Sequence, residues 1–289
     1  MAKALSKDGT RIGYTCVGTG PALVLVDGAL CYRAFGPSGP LAAALADRFT
    51  VFTYDRRGRG ESGNTLPFAV QREIEDLETV IREAGGSAFV FGVSSGGALA
   101  LEAANQGLAI KKLAVYEIPF IVDSTQPPIP EDFLDRLHTA LAAGRPGDAV
   151  THFMKLVGAP AVMVAMMRLF PVWKKLKAVA HTLPHDITLV KDNERGQPLR
   201  AGQWSNVAAP TLVMDGGKSP AWMRNAMRSL ADVLPKASYR TLEGQTHMVK
   251  PRAQVPALVE FLTSTARDRA HDQKGLEAAS HWIGEERVR

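Results

Sequence analysis

The chain has 289 residues, 46% of them hydrophobic and 22% charged, with a formal net charge of +5. That length suits one domain carrying an insertion, with enough chain for a large buried core. The small positive excess is too thinly spread for a nucleic-acid interface, whose Lys and Arg gather on one stripe. Its densest groups, Arg56, Arg57 and Arg59 and then Lys174, Lys175 and Lys177, read as solvated faces or local ion pairs. Cys16 and Cys31 make no metal-ligand spacing and too few bridges for a disulfide framework, so reduced thiols are expected. The opening MAKALSKDGTRIGYT has no apolar h-region, and no stretch approaches about 18 unbroken apolar residues. The expectation is a cytoplasmic protein with no membrane and no nucleic-acid partner.

In chain order, TRIGYTCVG (10 to 18) is rich in β-branched and aromatic residues and ends at a GTGP turn. ALVLVDG (22 to 28) and FTVFTYD (49 to 55) are short continuous apolar runs, as in strands buried on both faces. LAAALADR (41 to 48) between them is helical by propensity. AVQREIEDLETVIREAG (69 to 85) repeats Val70, Ile74, Leu77 and Ile81 at helical spacing and stops at Gly85-Gly86. AFVFGV (88 to 93) predicts a strand, GGALALEAANQG (96 to 107) a helix, and KLAVYE (112 to 117) a strand. From residue 119 to about 204 the pattern turns helical, and four of the nine methionines lie between Met154 and Met167. Strand and helix then alternate again: APTLVMDGG (209 to 217), PAWMRNAMRSLADVL (220 to 234), SYRTLEG (238 to 244) and AQVPALVEFLTSTARDR (253 to 269). This alternation means an α/β fold, a mainly parallel twisted sheet with helices on both faces. The core spans residues 1–118 and 205–269, with a helical insertion at 119–204 and a polar tail at 270–289.

Chemistry concentrates in FGVSSGG. Gly92-Val93-Ser94-Ser95-Gly96 fits G-x-S-x-G, and it follows a predicted strand and opens a predicted helix. The glycines two before and two after give a sharp turn its room. The spacing selects Ser94 as nucleophile, and Ser95 contributes its backbone N–H to an oxyanion hole near the helix N-terminus. A serine hydroxyl needs a base, and the base needs a group to orient it. His247, in LEGQTHMVKP after the last strand, stands where chain order expects the base. His138, His152, His181 and His185 lie in the insertion and read as surface or packing residues, and His271 and His281 lie in the tail.

The segments ALVLVDG, FTYDRRGRGES, FGVSSGG, PTLVMDGG and LEGQTH, in that order over residues 8 to 265, resemble the α/β-hydrolase fold superfamily. The resemblance implies that Ser94 is nucleophile and His247 base, that the N–H groups of Ala29 and Ser95 form the oxyanion hole, and that the insertion is a cap. Two positions depart from the pattern. Asp27 stands where the family often has His, and is expected to brace the loop by accepting hydrogen bonds. Ser219 stands where the family commonly has its acid, and a serine cannot stabilise an imidazolium. Glu117, at the end of the strand after the nucleophile helix, is the preferred replacement, as in certain haloalkane dehalogenases. Asp215 is the alternative.

A serine at this turn forms an acyl-enzyme, so the expected reaction is hydrolysis of a small apolar ester, lactone or thioester, with no cofactor and no metal. C–C bond hydrolysis, perhydrolysis, lyase chemistry and a slow ligand receptor remain as alternatives. Met166, Phe170 and Trp173 are expected to line the substrate pocket. The mixed-charge tail leaves two readings open, a loose end or a segment that docks on a second copy to make a homodimer.

Overall fold

The structure, a computed structural model, describes residues 2–265. The expected tail, with His271 and His281, lies outside the described residues. Among these, eight strands form one sheet: β1 (Ala2–Leu5), β2 (Arg11–Val17), β3 (Ala22–Val26), β4 (Thr50–Tyr54), β5 (Ala88–Val93), β6 (Ile110–Tyr116), β7 (Thr211–Gly216) and β8 (Ala237–Leu242). The order across the sheet is β1-β2-β4-β3-β5-β6-β7-β8. β1 and β2 run antiparallel at one edge, and from β4 to β8 neighbouring strands are parallel.

Side-chain alternation explains why the central strands read as continuous apolar runs. In β3, Val24 and Val26 enter one core, while Leu23 and Leu25 enter the other. The first core is closed by α2 (Val70–Glu83), α3 (Ser95–Asn105) and α9 (Ala221–Val233). The second is closed by α1 (Ser38–Leu45) and α10 (Pro251–Thr263). Among the described residues no helix is long and apolar enough to cross a membrane.

Between β6 and β7 the chain is helical: α4 (Phe133–Ala142), α5 (Pro146–Leu156), α6 (Ala161–Met167), α7 (Pro171–Ala178) and α8 (Leu183–Val190), with 3₁₀ turns at Ala180–Thr182 and Lys191–Asn193. These helices share an apolar cluster of their own, built on Leu137, Val150, Val164, Trp173 and Leu183. Leu30 belongs to it, and Ala29, Tyr32 and Phe35 pack against it, so the helical layer rests on the loop after β3. The two ends of the segment are fastened together. Phe120 stacks on Trp204 with ring centroids 5.7 Å apart, and the Trp204 indole donates to Glu102 of α3 at 2.8 Å.

The structure departs from the sequence expectations at β1 and at the arginines after β4. β1 was not expected, because AKAL has no β-branched or aromatic residue; it is an edge strand held by its register on β2. The helical run from residue 159 to 183 is divided into α6, α7 and a 3₁₀ turn. It breaks ahead of Pro171, where Phe170 is extended at φ −111° and ψ 155°, the region to which a following proline confines a residue. The arginines at 56, 57 and 59 make ion pairs, but buried ones and not a solvated face.

Trp204 is fully buried and closes the insertion onto α3. Trp204→Ala should cost about 3–5 kcal/mol through the cavity and the lost stacking. Denaturant unfolding monitored by circular dichroism checks this, and a loss under about 1 kcal/mol would show that the segment is held elsewhere.

Candidate active site

The carboxyl ends of the parallel strands gather the candidate residues at one sheet edge. β5 ends at Val93, and the chain turns through Ser94 into α3. Ser94 has φ 55° and ψ −131°. An L-residue adopts that geometry only when its surroundings enforce it. Tyr116 O accepts from the Ser94 N–H at 2.9 Å, which ties the turn to β6. The flanking glycines are needed for close approach. A Cβ on Gly92 would lie 2.6 Å from Gly96 O, and one on Gly96 would lie 2.4 Å from Val26 O. The Ser94 side chain is half-buried.

Glu117 follows β6, is fully buried, and also has a positive φ of 47°. Its Oε1 accepts from the Gly216 N–H at 2.7 Å, and its Oε2 meets His247 Nδ1 at 2.9 Å. Two contacts fix that carboxylate, so the imidazole on it has a set orientation. Tyr116 holds the histidine loop by donating its hydroxyl to Thr246 O at 2.8 Å. The His247 side chain is 39% exposed. Asp215, the alternative acid, does not meet His247: it accepts from the Tyr239 hydroxyl, and burial pushes its carboxyl above the usual range. Ser219 is buried, and its hydroxyl has no partner among the described residues.

The loop after β3 runs alongside Ser94. A Cβ on Gly28 would come within 2.9 Å of Ser94 Cβ, so only glycine lets the loop pass. Leu30 has φ 61°. With Ser94 and Glu117 it completes the set of non-glycine residues with positive φ among the described residues, and all three border this site. Asp27 braces the loop as an acceptor, taking the Ser38 hydroxyl at 2.6 Å. The Ala29 N–H donates to no group among the described residues. Ser95 opens α3, so its N–H has no helical acceptor.

Behind both lies a buried charge cluster that the sequence reading missed. Asp186, on α8, accepts the Ser95 hydroxyl at 2.7 Å, Arg56 Nη1 at 2.7 Å, and Arg59 Nη2 on both oxygens at 2.8 and 2.7 Å. Arg59 Nη1 also donates to Gly28 O at 2.6 Å and Cys31 O at 3.2 Å, and Arg56 Nη1 to Asp27 O at 3.2 Å. Arg56 further pairs with Glu73. Burial pushes the Asp186 carboxyl up, but Arg59, Arg56 and the Ser95 hydroxyl outweigh it and hold it below the usual range. One signal in the sequence was available: Asp186 is the only acidic residue from 149 to 191.

Met166, Phe170 and Trp173, expected to line a pocket, lie on or beside α6 and α7. Met166 and Phe170 are 55% and 57% exposed, and Trp173 is buried among the insertion helices. Arg168 stacks over the Trp173 ring at 5.4 Å. His181 and His185 are packed: burial lowers both, and His185 lies face to face on Phe68 at 3.7 Å.

Burial pushes the Asp27 carboxyl up to about 6, against the Ser38 hydrogen bond and the charges of Arg59 and Arg56. The folded chain therefore keeps this proton where the unfolded chain, with a carboxyl near about 4, has released it. Asp27 favours folding at low pH, and that contribution is lost as the pH rises through 6. Asp27→Asn keeps an acceptor for Ser38 and abolishes the titration. Its Tm relative to wild type should be more favourable at about pH 7.5 than at about pH 4.5. An equal difference at both pH values would contradict this assignment.

The sequence pattern of the alpha/beta hydrolase family matches residues 18–257. The structure is similar to that of an alpha/beta hydrolase from Sphaerobacter thermophilus, with 52% identity, a TM-score of 0.84, and coverage of 91% of this chain and 100% of that one. It shares its fold with the enol-lactonase from Burkholderia xenovorans, at 22% identity, TM-score 0.65, and coverage of 91% and 100%. It also shares its fold with a thermophilic esterase from Thermogutta terrifontis, at 20% identity, TM-score 0.63, and coverage of 90% and 97%. The chain belongs to the alpha/beta hydrolase family.

Proposed function

We propose that the protein is a serine hydrolase that cleaves a small apolar ester, lactone or thioester through an acyl-enzyme. The observation that carries the reading is the His247–Glu117 pair at 2.9 Å, on the same sheet edge as the strained turn at Ser94. In this reading Glu117 keeps the proton of His247 on Nδ1 and leaves Nε2 as the base. The imidazole takes the Ser94 proton as Oγ attacks the carbonyl carbon, and the oxyanion forms against the N–H groups of Ala29 and Ser95. The imidazolium returns its proton to the leaving oxygen or sulfur. Water, deprotonated by the same histidine, then attacks the acyl carbon, and the imidazolium returns that proton to Ser94 Oγ as the bond from Oγ to the acyl carbon breaks and the acid leaves. Neither a metal nor an organic cofactor is needed for these steps.

A preference for apolar substrates is supported by the loop itself, whose Ala29, Leu30, Tyr32 and Phe35 pack into the apolar cluster of the insertion. The family relationship supports hydrolysis over a receptor role. So does Glu117, which supplies the carboxylate that a serine at 219 cannot.

Hydrolysis of p-nitrophenyl esters from acetate to decanoate tests the reading. Turnover should be measurable and should vanish in Ser94→Ala, and Glu117→Gln should lower kcat by roughly several hundredfold or more. Asp215→Asn should stay within about tenfold of wild type. Equal activity in Ser94→Ala, or a larger loss in Asp215→Asn than in Glu117→Gln, would contradict these roles.

A further inference from the structure

Resting on the serine-hydrolase reading, we propose that Asp186 is a positioning residue that sets the direction of both oxyanion donors from the insertion helix α8. A single carboxylate stands behind both donors. The Ser95 hydroxyl donates to Asp186 Oδ1 at 2.7 Å, which fixes the first residue of α3 and with it the Ser95 N–H. Asp186 also holds Arg59 by two hydrogen bonds, and Arg59 Nη1 donates to Gly28 O at 2.6 Å. Gly28 O and the Ala29 N–H belong to one planar trans peptide and point in opposite directions. Fixing the carbonyl therefore aims the N–H. Arg56 repeats the arrangement one residue earlier, between Asp186 Oδ1 at 2.7 Å and Asp27 O at 3.2 Å.

Beyond their contacts with Asp186, Arg56 Nη1 and Arg59 Nη1 reach backbone carbonyls of the loop between Asp27 and Cys31. Asp186, Arg56, Arg59 and Ser95 are each at most 3% exposed, so solvent does not relay or screen these contacts. Arg59 Nε also donates to Thr182 Oγ1 at 3.1 Å, a second tie from the same guanidinium to the insertion. A shift of the insertion would thus move Asp186 and loosen both donors together. Asn at 186 could still accept from Ser95, but it would present one oxygen to Arg59 and no charge to either arginine.

The test compares wild type, Asp186→Asn, Asp186→Glu and Ser95→Ala. Active sites are counted by complete labelling with a fluorophosphonate, and kcat per labelled site and KM are measured on p-nitrophenyl acetate. The Ki of an aryl trifluoromethyl ketone, whose adduct carries an oxyanion, is measured in parallel. Asp186→Asn should lower kcat per labelled site about tenfold or more and Ser95→Ala about threefold or more, a fraction of what deleting a donor costs. KM should stay within about threefold, Ki should rise in step with the fall in kcat, and Asp186→Glu should recover part of the rate. A kcat per labelled site within about twofold of wild type in both Asp186→Asn and Ser95→Ala, at whatever Tm, would overturn the proposal. If Asp186→Asn does not fold, Ser95→Ala decides alone. Failure of wild type to label at Ser94 or to turn over would instead refute the serine-hydrolase reading, and this proposal with it.

Discussion

The arrangement depends on burying charge in compensated form. Arg56, Arg57 and Arg59 are each at most 1% exposed, and an uncompensated guanidinium in such a place would cost several kcal/mol. Each is matched: Arg56 by Glu73 and Asp186, Arg57 by Asp76 and Asp8, Arg59 by Asp186. Those partners come from the β1–β2 turn, α2 and α8, while the arginines follow β4. The charges are satisfied only when these elements meet in one way. That condition fixes where the insertion sits and what lies behind the Ser94 turn.

On this base the parallel sheet converges six strand ends. β3 leads to Gly28 and Ala29, β4 to the arginines, β5 to Ser94, β6 to Glu117, β7 to Gly216, and β8 to His247. Close packing there leaves no space for ordinary backbone geometry. Glycine is required where chains touch, at Gly28, Gly92 and Gly96. Ser94, Glu117 and Leu30, which are not glycine, are held at positive φ, each costing about 1–3 kcal/mol by general experience. The rigid sheet and the paired charges offset that strain.

Much of this was legible in the residues. Continuous apolar runs of strand length marked β3, β4 and β5, because a strand buried on both faces has no polar side. G-x-S-x-G marked the turn, and chain order marked His247. Glu117 could be preferred over Asp215 only by analogy, since both end adjacent parallel strands. What separates them in space is the Gly216 N–H and the course of the loop after β8, which are backbone features. Asp186 was opaque for a different reason. Its partners lie 91, 127 and 130 residues away along the chain, and no local pattern encodes such pairing. For the methionine-rich stretch, helical spacing says that a face is apolar, not which way it turns, and Met166 and Phe170 are exposed.

The most direct measurement of the central claim is to trap the intermediate. Wild-type protein mixed with excess p-nitrophenyl ester would be quenched in acid within the first turnover, and the acyl group located by tandem mass spectrometry of the tryptic peptide spanning residues 83 to 111. The account predicts one acyl group per chain, on Ser94 and absent from Ser94→Ala. Acylation of Ser95, or steady turnover with no acylated serine in that peptide, would contradict it.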